Sequence, residues 1–193
     1  GVGLVCGLED TWVDLGNMPF GGGIGTAVEV GGKIFAFKSD STTVFDPKSG
    51  IWLEKTSMPT PRNNFALAVC GDKVYCIGGT IWLDHGDYAL ETGLNEVYDV
   101  VSDAWETKAS MLTSRFNLIA HVVDGKIYCI GGTCGVHRDS IGLNEVYDPV
   151  SDSWAQKNSA LYSVTGAASV VLDGKIYVFG GEVPRAHLKV LQI

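Results

Sequence analysis

The sequence predicts an all-β chain built from four copies of one four-stranded antiparallel unit. Three markers recur in register and carry that prediction. The first is a diglycine: Gly78-Gly79, Gly131-Gly132 and Gly180-Gly181 each close a strand-length run that opens on a lysine (Lys73, Lys126, Lys175). The second is an aromatic-aspartate pair: Phe45-Asp46, Tyr98-Asp99 and Tyr147-Asp148. The third is a tryptophan seven residues after each of those aromatics: Trp52, Trp105 and Trp154. With Trp12 included, successive tryptophans of this marker stand 40, 53 and 49 residues apart. A period of about 50 residues belongs to four-stranded propeller blades rather than to helical solenoids. No stretch of helix length carries apolar residues at i, i+3, i+4 and i+7, which excludes helical repeats.

Each strand follows from local pattern. In the third unit, residues 117–123 form the first strand and 126–131 the second. Asp124-Gly125 between them tolerates the positive φ of a two-residue hairpin turn. Residues 144–148 and 153–157 form the third and fourth strands. Gly31-Gly32, Gly71-Asp72 and Asp173-Gly174 occupy the same turn in the other units. Residues 65–70 are apolar throughout, so that strand is buried on both faces. Fourth strands such as 105–108 are mostly polar and belong at an outer rim. The expected blades are 26–53, 64–108, 117–157 and 166–193, within a single domain of residues 1–193. The first unit departs from the pattern, with Lys38-Ser39 in place of a diglycine. The last stops soon after Gly181, and either the N-terminal 1–15 segment or the tail 188–193 supplies its third strand.

Composition narrows the function classes. The 193 residues carry a formal net charge of −8 and a calculated pI of 4.8. Nucleic acid is therefore not an expected partner. No apolar stretch is long enough to span a membrane as a helix, so no membrane partner is expected either. The five cysteines are odd in number and show no CxxC, which points to a reducing, cytoplasmic setting. Cys76 and Cys129 hold the same place in the second strand as Ala36 and Val178, as small core residues do. No GxSxG, P-loop or HExxH occurs. Gly21-Gly22-Gly23-Ile24-Gly25 leads into a strand, and a phosphate-cradling loop needs a helix N-terminus. Asp84, His85 and Asp87, or Cys134 with His137, lack metal-ligand spacing, and no cofactor is expected.

The diglycine, tyrosine and tryptophan in register resemble the kelch repeat, over about residues 11–182. The resemblance implies a kelch-type β-propeller, closed as a four-bladed ring or forming part of a larger one. It also implies a module that binds a protein or peptide on one face, as in substrate receptors of ubiquitin ligases or actin-associated scaffolds. The alternatives are a carbohydrate-active kelch enzyme, mutarotase-like or oxidase-like, and a self-assembling unit that forms homo-oligomers through open blade edges. His121 falls mid-strand between Ala120 and Val122, as a core or channel-lining residue.

Two loop families carry the candidate contacts, because propeller strands are committed to packing and function collects on loops. Arg62 and Arg115 stand in register between the fourth strand of one unit and the first of the next. By resemblance they anchor a ligand carboxylate or phosphate at the channel mouth, with Asn63 and Asn117 as hydrogen-bonding neighbours. A planar guanidinium suits that task, so an acidic partner is expected. The bland alternative is that both arginines satisfy backbone carbonyls where blades meet. The loops between second and third strands supply Trp82, His85 and Tyr88 in one unit and His137 and Arg138 in the next. Trp, Tyr and Arg dominate binding hot spots, whereas the alternative for Trp82 is local burial.

Overall fold

The computed structural model describes residues 3–5, 14–17, 25–39, 41–83, 88–135, 139–181 and 191–192. All of the regular structure described is β-strand. The chain divides into two compact units, Gly1–Pro61 and Arg62–Ile193.

In the first unit, β1 (Gly3–Val5) and β2 (Asp14–Asn17) form an antiparallel hairpin. A meander of β3 (Thr26–Val30), β4 (Lys33–Lys38), β5 (Ser41–Asp46) and β6 (Ile51–Lys55) follows. Gly31 and Gly32 turn β3 into β4 with φ of 61° and 78°, a left-handed pair that glycine adopts without strain. Where the diglycine is missing, Ser39 keeps a positive φ of 47°. The Phe45 and Trp52 rings meet 4.9 Å apart across β5 and β6.

The described residues of the second unit form three repeats in succession, the first two each a four-stranded sheet with a separate two-stranded hairpin. The first has β7 (Ala66–Cys70) and β8 (Lys73–Ile77), then the hairpin β9 (Thr80–Leu83) and β10 (Tyr88–Glu91), then β11 (Asn95–Asp99) and β12 (Ala104–Lys108). The second repeats this plan: β13 (Ile119–Val123), β14 (Lys126–Ile130), the short hairpin β15 (Thr133–Cys134) and β16 (Asp139–Ser140), β17 (Asn144–Asp148) and β18 (Ser153–Lys157). The third has β19 (Ala168–Leu172), β20 (Lys175–Phe179) and β21 (Leu191–Gln192), three strands in that order. In this sheet the tail occupies the position of a third strand.

Alternation along the inner strands produces the packing between sheets. Ala66, Ala68, Tyr75, Ile77 and Val97 of one sheet meet Ala120, Ile127, Cys129 and Tyr147 of the next. On the other side of that second sheet, Ile119 and Ile130 pack with Val164, Ile176 and Val178. Both faces of the middle sheet are covered, which is why its inner strands read as nearly continuous apolar runs. Cys76 and Cys129 lie fully buried, and burial pushes both thiols up to about 12.

Covalently distant residues tie the sheets together. Trp154 Nε1 donates to the Ala109 carbonyl at 2.7 Å. Ala109 N donates to Asp152 Oδ1 at 2.8 Å, and the Tyr147 hydroxyl donates to the same oxygen at 2.6 Å. In this repeat the aromatic-tryptophan marker is therefore a staple onto the preceding one. The diglycine has a different role. Gly79 N donates to the Arg115 carbonyl at 3.0 Å, and Gly132 N donates to the Val164 carbonyl at 2.7 Å. A Cβ on Gly131 would stand 2.3 Å from the Val164 carbonyl oxygen, and one on Gly78 would stand 2.5 Å from that of Arg115. The segments that enter the third and last repeats cross directly over these glycines.

Candidate functional site

Strand direction sorts the loops of the second unit onto two ends. Second strands run from their lysine toward the diglycine, and third strands run back. The hairpins β9–β10 and β15–β16 therefore share one end with the segments that enter each repeat. Met111 N donates to the Gly93 carbonyl at 2.8 Å and Ala160 N to the Gly142 carbonyl at 2.8 Å, joining the two loop families. Gly135 N donates to Glu91 Oε1 at 2.8 Å, which places the two hairpins side by side. The opposite end carries the tight turns and exposed pairs such as Lys73–Asp99 and Lys126–Asp148, 2.8 and 2.7 Å.

The sequence expectation for the two arginines is corrected by burial. Arg62 and Arg115 are both 0% exposed. Arg62 Nη1 pairs with Glu96, Nη2 donates to the Cys76 carbonyl at 2.7 Å, and Nε donates to the Gly78 carbonyl at 3.0 Å. Arg115 Nη1 pairs with Glu145 at 2.9 Å and Nη2 donates to the Cys129 carbonyl at 3.0 Å. A guanidinium committed inside a sheet offers no surface to a ligand carboxylate. Glu145 Oε2 also accepts Leu112 N at 3.1 Å, so the pair fixes the segment that enters the third repeat.

These ion pairs belong to the repeat rather than to a site. Cys76 faces Glu96 and Cys129 faces Glu145 across the second and third strands. In the first repeat the glutamate position is Thr43, opposite Ala36. In the last, Val164 holds the arginine position and Leu191 the glutamate position, opposite Val178. The charges are both present or both absent.

Asn63 is also placed differently. Its backbone bridges Thr80, with Asn63 N to the Thr80 carbonyl at 3.0 Å and Thr80 N to the Asn63 carbonyl at 2.8 Å. Phe116 makes the same bridge to Thr133, so Asn63 matches Phe116, and Asn64 is the true counterpart of Asn117. Asn64 and Asn117 are exposed, with φ of 57° and 53°, and Gly166 continues the series at 59°. Asn117 N donates to the Asn64 carbonyl and Gly166 N to the Asn117 carbonyl, each at 3.0 Å. An open depression of about 460 Å³ lies there, lined by Asn117, Thr165, Gly166 and Gly181. Asn64 and Thr165 were missed by sequence reasoning. The signal was available in the parallel segments Arg62-Asn63-Asn64, Arg115-Phe116-Asn117 and Val164-Thr165-Gly166.

Trp82 projects from β9 and is 54% exposed, with Leu83 and Leu90 exposed on the same hairpin. Tyr88 stands in β10 opposite Leu83. Leu112, Leu161 and Tyr162 are exposed on the entering segments at the same end. His85, His137 and Arg138 lie outside the described residues. His121 is half-buried at the seam with the last sheet, its Nε2 2.7 Å from Ser169 Oγ, and burial lowers its pKa. Among the described residues, no three His, Cys, Asp or Glu side chains converge to hold a metal. No helix among them is long and apolar enough to cross a membrane.

Comparisons with known proteins agree with this architecture. The Kelch motif model matches residues 61–112 and 115–159, half of the chain. Kelch-like protein 15 of Danio rerio is 32% identical over 88 residues, 46% of this chain and 14% of that protein. Kelch-like ECH-associated protein 1B of Danio rerio is 31% identical over 99 residues, 50% of this chain and 16% of that protein. Kelch-like protein 25 of Xenopus laevis is 30% identical over 114 residues, 58% of this chain and 18% of that protein. The matched stretch thus spans less than a fifth of these relatives. The solved structure of YjhT superposes with a TM-score of 0.74 at 16% identity, covering 82% of this chain and 58% of that one. Repeat pattern, sheet topology and family match agree: the fold is that of a kelch-type β-propeller, and the chain belongs to the kelch-repeat family.

Proposed function

We propose that this chain is a protein-interaction module that recognises a peptide or protein segment with the loop end of its second unit. The observation that carries this reading is Trp82, half-exposed on a hairpin whose backbone is fixed by four paired positions. A large aromatic held out by paired backbone loses little freedom on binding and resembles an interface anchor. Leu90, Leu112 and Tyr162 extend the apolar surface at the same end. The kelch-like relatives support the finer reading of a substrate receptor for a ubiquitin ligase, in a cytoplasmic setting. The buried arginines remove the basis for an acidic ligand.

The test compares the two ends. Trp82→Ala/Leu90→Ser and Val101→Ser/Val150→Ser variants are used as baits in a lysate of the native source. Val101 and Val150 are exposed on turns at the opposite end. Proteins lost only from the first bait support the reading, whereas loss only from the second refutes it.

A second reading has its own observation. Val170, Leu172 and Phe179 are exposed on the outer face of the last sheet, while Ile119 and Ile130 occupy the matching face of the middle sheet and are buried. That face supports self-association through a second copy. Light scattering of wild type beside Val170→Thr/Leu172→Lys tests it: a mass above 20.6 kDa that falls in the variant is expected, and a monomeric wild type rejects it.

A further inference from the structure

The depression beside Asn117 in the second unit lies where one position of a repeated series carries no side chain. Asn64, Asn117 and Gly166 occupy one register position in successive repeats, each left-handed, each linked to the next by a backbone bond. The first two present a carboxamide. At the third, a Cβ would meet nothing within 4 Å. A third asparagine at Gly166 would have open space before it and would fill part of the opening beside Asn117.

We infer that this niche binds a neutral hydrogen-bonding group, a carboxamide or hydroxyl, in place of the missing asparagine side chain. This rests on the loop end being the binding surface, and it names the partner chemistry there. Asn117 offers both a donor and an acceptor, and its amide makes no hydrogen bond to another described residue. Thr165 lines the floor, its hydroxyl 2.8 Å from that of Thr133. No described charged residue lines the niche. The nearby cations, Arg62 and Arg115, are spent on Glu96 and Glu145. An anion would thus meet no fixed positive charge and a chain of net charge −8. A carboxamide can exchange its hydrogen bonds with water for bonds to Asn117 at no charge-desolvation cost.

The experiment titrates the ¹⁵N-labelled full chain with three blocked amino acids: N-acetyl-glutamine, N-acetyl-glutamate and N-acetyl-lysine methylamides. The expected result is saturable shifts of the Gly166 and Gly181 amides with the glutamine compound, at least about tenfold weaker with the other two. Gly166→Asn abolishes the shift, because asparagine accepts this φ and the space is open. Asn117→Gly, which also suits its left-handed backbone, weakens it independently of that fill-in. Equal shifts from the glutamate or lysine compound overturn the inference, as does a glutamine response that survives Gly166→Asn, or no response at all. Trp82-dependent capture in the presence of any of these three results leaves the broader reading intact, so the two failures are distinguishable.

Discussion

The carboxylate of Glu145 stands 2.9 Å from Arg115 Nη1 inside the middle sheet, with neither side chain more than 2% exposed. Thirty residues separate them in the chain, yet they form one exchangeable unit, because the last repeat substitutes Val164 and Leu191 at the same two positions. Removing one member strands a buried charge, which costs about 3–5 kcal/mol. Arg115→Val and Glu145→Leu should each lower the denaturant midpoint by that scale. The double variant should recover most of the loss, since an apolar pair of similar volume is often neutral. Additive losses in urea melts would reject the unit.

The two kinds of glycine should separate cleanly. Gly125 has a φ of 72° and open space around its missing Cβ, so Gly125→Ala costs only the left-handed backbone, about 1–2 kcal/mol. Gly131→Ala adds a clash with the Val164 carbonyl oxygen and should cost at least twice as much. Thermal melting of the two variants side by side checks the order, and equal losses would contradict it.

The staple from Trp154 to Ala109 predicts a modest, specific loss. Trp154→Phe keeps the aromatic contact with Tyr147 at 5.0 Å but removes the Nε1 donor to a carbonyl. A net loss of about 0.5–1.5 kcal/mol is expected. No change in the urea midpoint would show that the indole contributes only by packing.

Acid should weaken the seam at His121. Burial lowers its folded-state pKa below the ordinary value of about 6.5 that it keeps when unfolded. The unfolded chain therefore binds more protons as pH falls through about 6.5, and stability declines until the folded-state pKa is passed. Above that window the group contributes nothing. His121→Gln preserves a polar partner for Ser169 and should shrink the fall in melting temperature between about pH 7.5 and 5.5. An unchanged fall would assign the acid sensitivity elsewhere.

Much of the fold was legible because each marker is local. Gly78-Gly79, Tyr98-Asp99 and Trp105 mark strand positions within one repeat, and their spacing fixes the register of its sheet. The arginines were misread because a charge between a fourth strand and the next first strand looks like a loop residue when its partner lies 30 or more positions away. The identical segments Asn95-Glu96-Val97-Tyr98-Asp99 and Asn144-Glu145-Val146-Tyr147-Asp148 occur in the two repeats that carry an arginine, and Thr43 stands at that glutamate position where the first repeat has none. That covariation was the missed signal. The hairpins β9–β10 and β15–β16 were read as loops because they lack alternating patterns, and pairing rather than propensity orders them.

The central claim is that the loop end carrying Trp82 meets the partner. A photoreactive benzoylphenylalanine at position 82, 112 or 162, beside controls at 101 and 150, tests it most directly in the native lysate. Cross-links to a common protein from 82, 112 and 162, with none from 101 and 150, are the result this account predicts. Cross-links confined to 101 and 150 would contradict it and move the binding surface to the opposite end.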